Sequence, residues 1–197
     1  MDNIWAIILA AGESKRMKTP KMLLLLDDKT MIEKVAGNVA ESEINKIMIV
    51  TGAYREDIMK VTGHIPLMYC YNDNYKQGML SSVKCGFRAL PATAEAVLVF
   101  PGDQPGITSE VINLIIASYR QTKKGIILPV YRNKRGHPVL IDIKYRDEIE
   151  KLNQEDGLKS LSHSFPDDVF EVETGTPAVL KDIDTYEDYI NEINQMR

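Results

Sequence analysis

The chain has 197 residues, enough for one domain with a substantial core and too few for two of ordinary size. Its 24 lysines and arginines stand against 28 aspartates and glutamates, a formal net charge of −4. No cationic excess is there to neutralise a phosphate backbone, so a general nucleic-acid binder is excluded. The opening apolar run, Ile4–Ala11, is too short to cross a membrane and has neither a basic flank nor a cleavage site, so the expected location is cytoplasmic and no membrane partner is expected.

In chain order, Ile4–Ala10 is a continuous apolar run closed by Gly12, the pattern of a strand buried on both faces. Thr30–Glu41 then carries apolar residues at helical spacing. Lys46–Thr51 predicts a second strand, Arg55–Val61 a helix, Pro66–Tyr71 a strand and Leu80–Leu90 a helix. Ala96–Phe100 predicts a further buried strand, and Thr108–Gln121 a helix with Thr108 and Glu110 at its start. Gly125–Val130 and Pro138–Ile141 read as two strands joined by a turn around Asn133–Gly136. Thr185, followed by Glu187 and Asp188, marks the start of a last helix. Strands alternating with helices predict a layered α/β fold. Cys70 and Cys85 are too few and too unpatterned for a disulfide scaffold or a zinc site and read as free thiols in a reducing cytosol.

The segment from Leu9 through Ala10, Ala11 and Gly12 to Arg16 and Lys21 packs small residues and cations directly after the first strand. Small residues let backbone N–H groups approach an anion, and Lys15, Arg16 and Lys21 can neutralise a polyphosphate. The spacing is neither G-x-G-x-x-G nor G-x-x-x-x-G-K-[ST], which disfavours a dinucleotide fold and a P-loop enzyme. From charge and position alone, a solvated basic turn stays open.

Three other stretches carry chemistry. Phe100-Pro101-Gly102-Asp103-Gln104-Pro105 puts a carboxylate at the end of a buried strand, suited to a hard cation such as Mg²⁺ that keeps water and phosphate as its other ligands. Asp182 and Asp184 form a second acidic pair. In an extended stretch both would face one side, with helix capping as the plain alternative. Asn72 to Ser82 leads through Gly78 into a helix whose Ser81 and Ser82 place hydroxyls near an anion-favouring N-terminus. Gly136-His137-Pro138 sits between two strand-like runs and reads on its own as turn chemistry. His64 and His163 carry no functional expectation.

Together, L-A-A-G-x-S-x-R-M-x-x-P-K, the Asn72–Ser82 stretch, P-G-D-x-P, G-H-P and D-I-D-T resemble the MobA-like nucleotidyltransferases, most closely the molybdenum cofactor cytidylyltransferase branch. The resemblance runs over nearly the whole chain. It implies a Rossmann-like three-layer sandwich with a mostly parallel mixed central sheet, of the nucleotide-diphospho-sugar transferase type. It also implies one nucleotidyltransferase domain over 1–197, with the nucleotide part at about 1–130 and the second-substrate part at about 131–197.

The implied nucleotide-binding set is Leu9, Ala10, Ala11, Gly12, Arg16, Lys21, Gly78, Ser81, Ser82 and Asp103. Arg16, Lys21 and Asp103 are the implied catalytic residues, Asp103 and Asp184 the implied Mg²⁺ ligands, and Gly136, His137 and Pro138 the implied contacts to the second substrate. The implied reaction moves a nucleoside monophosphate, from CTP, to the phosphate of molybdopterin with release of pyrophosphate, for delivery to a molybdoenzyme. CTP over GTP hangs on Ala11, where the guanylyltransferase branch typically has Gly. A sugar- or alcohol-phosphate nucleotidyltransferase and a non-catalytic nucleotide-dependent cofactor-delivery protein are the alternatives. Four departures from the family pattern stand out. Lys18 replaces a common Gly, and Glu155-Asp156-Gly157-Leu158-Lys159 follows G-D-x-G-A-R only loosely. Thr174 replaces a frequent Asp, and Tyr186 replaces a usual Pro.

Overall fold

The first strand, β1 (Ile4–Ala10), is buried at every residue, as an unbroken apolar strand covered on both faces must be. The computed structural model, which describes residues 3–44 and 46–196, sets β1 inside an eight-stranded sheet. Its side chains alternate between two cores: Ile4, Ala6, Ile8 and Ala10 join one, while Trp5, Ile7 and Leu9 join the other. Helices cover both faces, giving the three-layer α/β sandwich expected of the sequence.

After β1 the chain passes through a 3-10 turn (Lys21–Leu23) and a small antiparallel hairpin, β2 (Leu25–Leu26) and β3 (Lys29–Thr30). It then enters α1 (Met31–Ala40), which Thr30 caps in a reciprocal box: the Thr30 hydroxyl accepts from the Glu33 N–H, and the Glu33 carboxylate accepts from the Thr30 N–H. Met31, Ile32, Val35, Ala36 and Val39 form the buried face of this helix. β4 (Ile47–Thr51), α2 (Arg55–Thr62) and β5 (Met68–Tyr71) follow, with β4 parallel to β1 and β5 parallel to β4.

The winding then reverses. α3 (Met79–Ala89) carries the chain back to β6 (Ala96–Pro101), which pairs in parallel with the other edge of β1. β1 and β6 therefore flank a switch in strand order, and ligands of open α/β sheets bind at the carboxyl ends of strands at such points.

α4 (Ser109–Thr122), β7 (Ile126–Tyr131), β8 (Lys134–Arg135) and β9 (Val139–Asp142) come next. β9 lies antiparallel between β6 and β7, which makes the sheet mixed. α5 (Arg146–Lys151), α6 (Lys159–Ser164), β10 (Val169–Glu173) and α7 (Tyr186–Met196) complete the fold. The sheet order is β10-β7-β9-β6-β1-β4-β5, with β8 paired to β7. The predicted strands and helices are present with ends displaced by one or two residues. The hairpin, α5, α6 and β10 were not expected. Each has six residues or fewer, too short for a periodicity to stand out. Among the described residues no helix is long and apolar enough to cross a membrane.

Candidate active site

Three distant stretches of chain converge at the carboxyl ends of β1 and β6. The Gly102 N–H donates to the Leu9 carbonyl at 3.0 Å, pinning the turns after the two strands together. The Ile183 N–H donates to the Asp103 carbonyl at 3.0 Å and draws the segment before α7 onto the same spot. Between them opens a cleft of about 380 Å³ whose wall includes Leu9, Ala11, Gly12, Arg16, Lys21 and Asp103.

Lys21 is the hub of this cleft. Its ammonium lies 2.7 Å from Asp103 Oδ2 and 2.9 Å from Asp184 Oδ1, and the residue is only 8% exposed. Arg16, by contrast, lies mostly in solvent and reaches Asp184 Oδ2 with Nη1 at 2.6 Å. Burial alone would lower the Lys21 ammonium, but the two carboxylates outweigh it and hold Lys21 above the ordinary lysine value. Burial likewise opposes ionisation of Asp184, and Lys21 with Arg16 overrides it, keeping this carboxyl below the usual range. The second oxygen of Asp103, Oδ1, is buried with no hydrogen-bond partner among the described residues. A buried carboxylate oxygen left bare is costly unless something else fills its lone pairs.

The loop carrying these cations is organised by Ser14. Its carbonyl accepts from the Met17 and Lys18 N–H groups at 3.1 Å each, and its hydroxyl accepts from the Lys21 N–H at 3.1 Å. Lys18 has φ of 54°, the left-handed region that glycine occupies without strain. That is a physical reason for the Gly which the family pattern has at this position.

Asp184 is free for the cleft because another residue caps α7. Asp188 Oδ2 accepts from the Thr185 N–H at 2.8 Å and the Asp184 N–H at 3.2 Å, while the Thr185 hydroxyl accepts from the Asp188 N–H at 3.1 Å. Of the two candidate carboxylates, Asp184 points at Lys21 and lines the cleft, whereas Asp182 is exposed and exerts its field on His137.

The opposite wall comes from the turn between β5 and α3. Gly78, at φ of 104°, and Ser82 line the cleft, together with Tyr75, Lys76 and Met79. Ser81 does not: its hydroxyl donates to the Gly78 and Asn74 carbonyls at 2.7 and 3.0 Å and accepts from the Asn72 amide at 2.9 Å. The same Asn72 amide donates to Ser82 Oγ at 3.0 Å, so Asn72 shapes the turn from beneath. Ala10 also stays out of the cleft, buried in the core at 1% exposure.

Gly136, His137 and Pro138 are not part of the cleft wall, although they lie next to it. The His137 N–H donates to the Val179 carbonyl at 2.9 Å. A Cβ on Gly136 would fall 2.1 Å from that same carbonyl oxygen, so only glycine fits. Burial pushes the His137 imidazole below the ordinary histidine value, against the upward pull of Asp103 and Asp182. Its Nδ1 is buried with no hydrogen-bond partner among the described residues.

Gly52 was not expected to matter. A Cβ there would lie 2.5 Å from the Ala11 carbonyl oxygen and 2.8 Å from Tyr75 Cγ. Its absence lets the end of β4 tuck under both cleft walls. The signal was available, since Gly52 follows a buried strand directly, as Gly102 follows β6. Thr174 spends its hydroxyl on the Val130 and Thr176 carbonyls at the end of β10, away from the cleft. Gln154, beside the loosely matching Glu155–Lys159 stretch, lies 3.2 Å from the Gln77 carbonyl and 3.3 Å from the Ser81 N–H, and with its amide turned so that nitrogen faces the carbonyl and oxygen the N–H it docks that stretch on the start of α3.

Residues 6–169 match the MobA-like NTP transferase domain. The chain is 30% identical over 194 residues to the molybdenum cofactor cytidylyltransferase of Escherichia coli (strain K12), covering 96% of this chain and 95% of that protein. A solved structure of the Mycobacterium sp. strain JC1 homologue of M. tuberculosis rv0371c superposes with a TM-score of 0.85 at 25% identity, over 98% of this chain and 96% of that one. The 4-diphosphocytidyl-2C-methyl-D-erythritol synthase of Anaerococcus prevotii DSM 20548 shares the fold with a TM-score of 0.79 at 21% identity, over 99% of this chain and 96% of that one.

Proposed function

The chain belongs to the MobA-like NTP transferase family, and from that premise we propose that this nucleotidyltransferase moves CMP from CTP to the phosphate of a molybdopterin-type acceptor, releasing pyrophosphate. The observation that carries the reading is the Lys21 ammonium held between Asp103 and Asp184 at the mouth of β1 and β6, with Arg16 beside it. Cations for a triphosphate and carboxylates for a metal thus share one cleft. The relative from E. coli named for cytidylyl transfer supports CTP and the molybdenum cofactor as substrates.

A phosphate monoester acceptor is already an ionised nucleophile, so the chain needs no covalent nucleophile and no general base. Its work is alignment and charge stabilisation. Arg16, mostly exposed, is placed to hold the β- and γ-phosphates as they enter. Lys21, desolvated and firmly charged, is placed to neutralise the charge growing at the α-phosphate. Gly78 and Ser82 bring backbone and hydroxyl against the nucleotide, and Ala11 narrows the base side. Gly136, His137 and Pro138 stand on the acceptor side. His137, kept neutral by burial, serves contact and not proton transfer.

The site fits Mg²⁺. Two hard carboxylates flank the Lys21 ammonium, and beside it Asp103 Oδ1 is bare, so oxygen ligands for a second cation are at hand. Asp103 and Asp184 would hold the ion. No group of three or more metal-binding side chains occurs among the described residues, so water and phosphate would supply its remaining ligands. Bound there, Mg²⁺ would neutralise phosphate charge.

Pyrophosphate release on mixing the protein with Mg²⁺, CTP and molybdopterin tests the proposal, and Asp103→Asn is expected to lower turnover by roughly a hundred- to thousandfold. Near-normal turnover in that variant at saturating Mg²⁺ would remove Asp103 from the mechanism. A panel of CTP, GTP, ATP and UTP tests the base, and a clear GTP preference would overturn the role given to Ala11. A second acceptor class remains in view because Glu155–Lys159 departs from the family pattern while touching the nucleotide turn through Gln154. The Anaerococcus synthase, named for an erythritol product, has the same fold, so the fold alone does not choose the acceptor. Release with a sugar or alcohol phosphate and none with molybdopterin would move the assignment there.

A further inference from the structure

Cys70 and Cys85 lie 15 residues apart in sequence, yet their sulfurs are 3.0 Å from each other, one on β5 and the other on α3. Both are half-buried, and neither takes part in the proposed reaction. Cys85 Sγ also contacts the Tyr71 carbonyl at 3.5 Å, and Cys70 Sγ contacts the Cys85 carbonyl at 3.7 Å. The chain between the two cysteines is the whole cleft-facing turn, from Asn72 through Tyr75 and Gly78 to Ser82. A bond between the sulfurs would close a ring around that turn.

We propose that Cys70 and Cys85 form a dithiol–disulfide pair that a low-molecular-weight disulfide closes, fastening α3 to β5 behind the nucleotide turn. Burial and the contact with Cys70 push the Cys85 thiol up to about 12. The thiolate of one cysteine displaces one thiolate from the small disulfide, giving a mixed disulfide on that cysteine. The other cysteine gives up its proton and attacks the first cysteine's sulfur, expelling the second small thiolate. Two electrons pass from the cysteines to the small disulfide, and the two protons leave on the two small thiols formed. Because the two sulfurs are already adjacent, the second step is intramolecular and outpaces a second external attack.

The test does not depend on the proposed nucleotide chemistry. The native protein is incubated with oxidised glutathione, its free thiols are alkylated, and its peptides are mapped by mass. The expected result is a Cys70–Cys85 cross-linked peptide with neither cysteine alkylated, undone by a thiol reductant. Cys70→Ala and Cys85→Ala should each end with one glutathione adduct or one alkylated thiol and no cross-link. Alkylation of both cysteines in the treated native protein, or two separate glutathione adducts, would overturn the pair. Amide exchange over residues 72–82 should slow in the cross-linked form, and exchange that is unchanged or faster would overturn the fastening.

Discussion

At the scale of single residues, the site turns on one ammonium. Lys21 separates two carboxylates that would otherwise confront each other across a partly buried gap, so its loss leaves like charges facing. Lys21→Met, which keeps the stem, is expected to lower stability by about 1.5–3 kcal/mol at neutral pH, the usual range for hydrogen bonds to charged groups. Urea titration of native and variant protein measures this, and equal midpoints would mean that solvent screens the pair. Arg16, Lys21, Asp103 and Asp184 were all legible in the sequence, since each sits in a short motif beside a strand end or a helix start. Asn72's clamp on two serines and the meeting of Cys70 with Cys85 were not. Both join β5, or the residue just after it, to α3 through partners that share no local pattern, and only the packing of the helix on the sheet brings them together.

At the scale of elements, the long buried strands and amphipathic helices announced themselves through periodicity, while β10 did not. It is an edge strand with most side chains outside the core, so no apolar run marks it. Side-chain chemistry ties it in. Asp168, just before β10, accepts from Lys144 Nζ at 2.7 Å and also receives the Tyr145 hydroxyl, joining this edge to the segment that leads into α5. Burial works against ionisation of Asp168, but Lys144, Tyr145 and the Gly125 N–H prevail and hold it below the ordinary carboxylate value. A folded value below the unfolded one means that the stabilisation is complete above the ordinary aspartate range and is lost as pH falls through the folded value. Asp168→Ala should therefore be less stable than the native protein at about pH 7, with the gap closing towards about pH 3. A gap that stays constant across that range, measured by urea midpoints, would show that Asp168 contributes through packing and not through charge.

At the scale of the whole molecule, β9 decides how the two parts of the chain relate. The sequence marked Pro138–Ile141 as a strand, and it did not show that this strand would lie between β6 and β7. Val139–Asp142 pairs antiparallel with β6 on one side and β7 on the other, so the later part of the chain is built into the middle of the same sheet. One cooperative unfolding transition is the expected consequence. Trp5, the single tryptophan, reports from the core as a residue of β1. Its fluorescence and the far-ultraviolet circular dichroism should follow one urea curve. Two separated midpoints would divide the chain into two units.

The pairing of Arg16 with Asp184 spans 168 positions of sequence. A contact between such distant residues waits on a slow, long-range chain closure, and during synthesis it waits for all the chain between them to leave the ribosome. The strands from β1 to β6 can begin to assemble long before Asp184 exists. A nascent chain therefore carries Arg16 and Lys21 without the Asp184 carboxylate that pairs with both, and the cleft acquires that part of its charge balance only after Asp184 has been made.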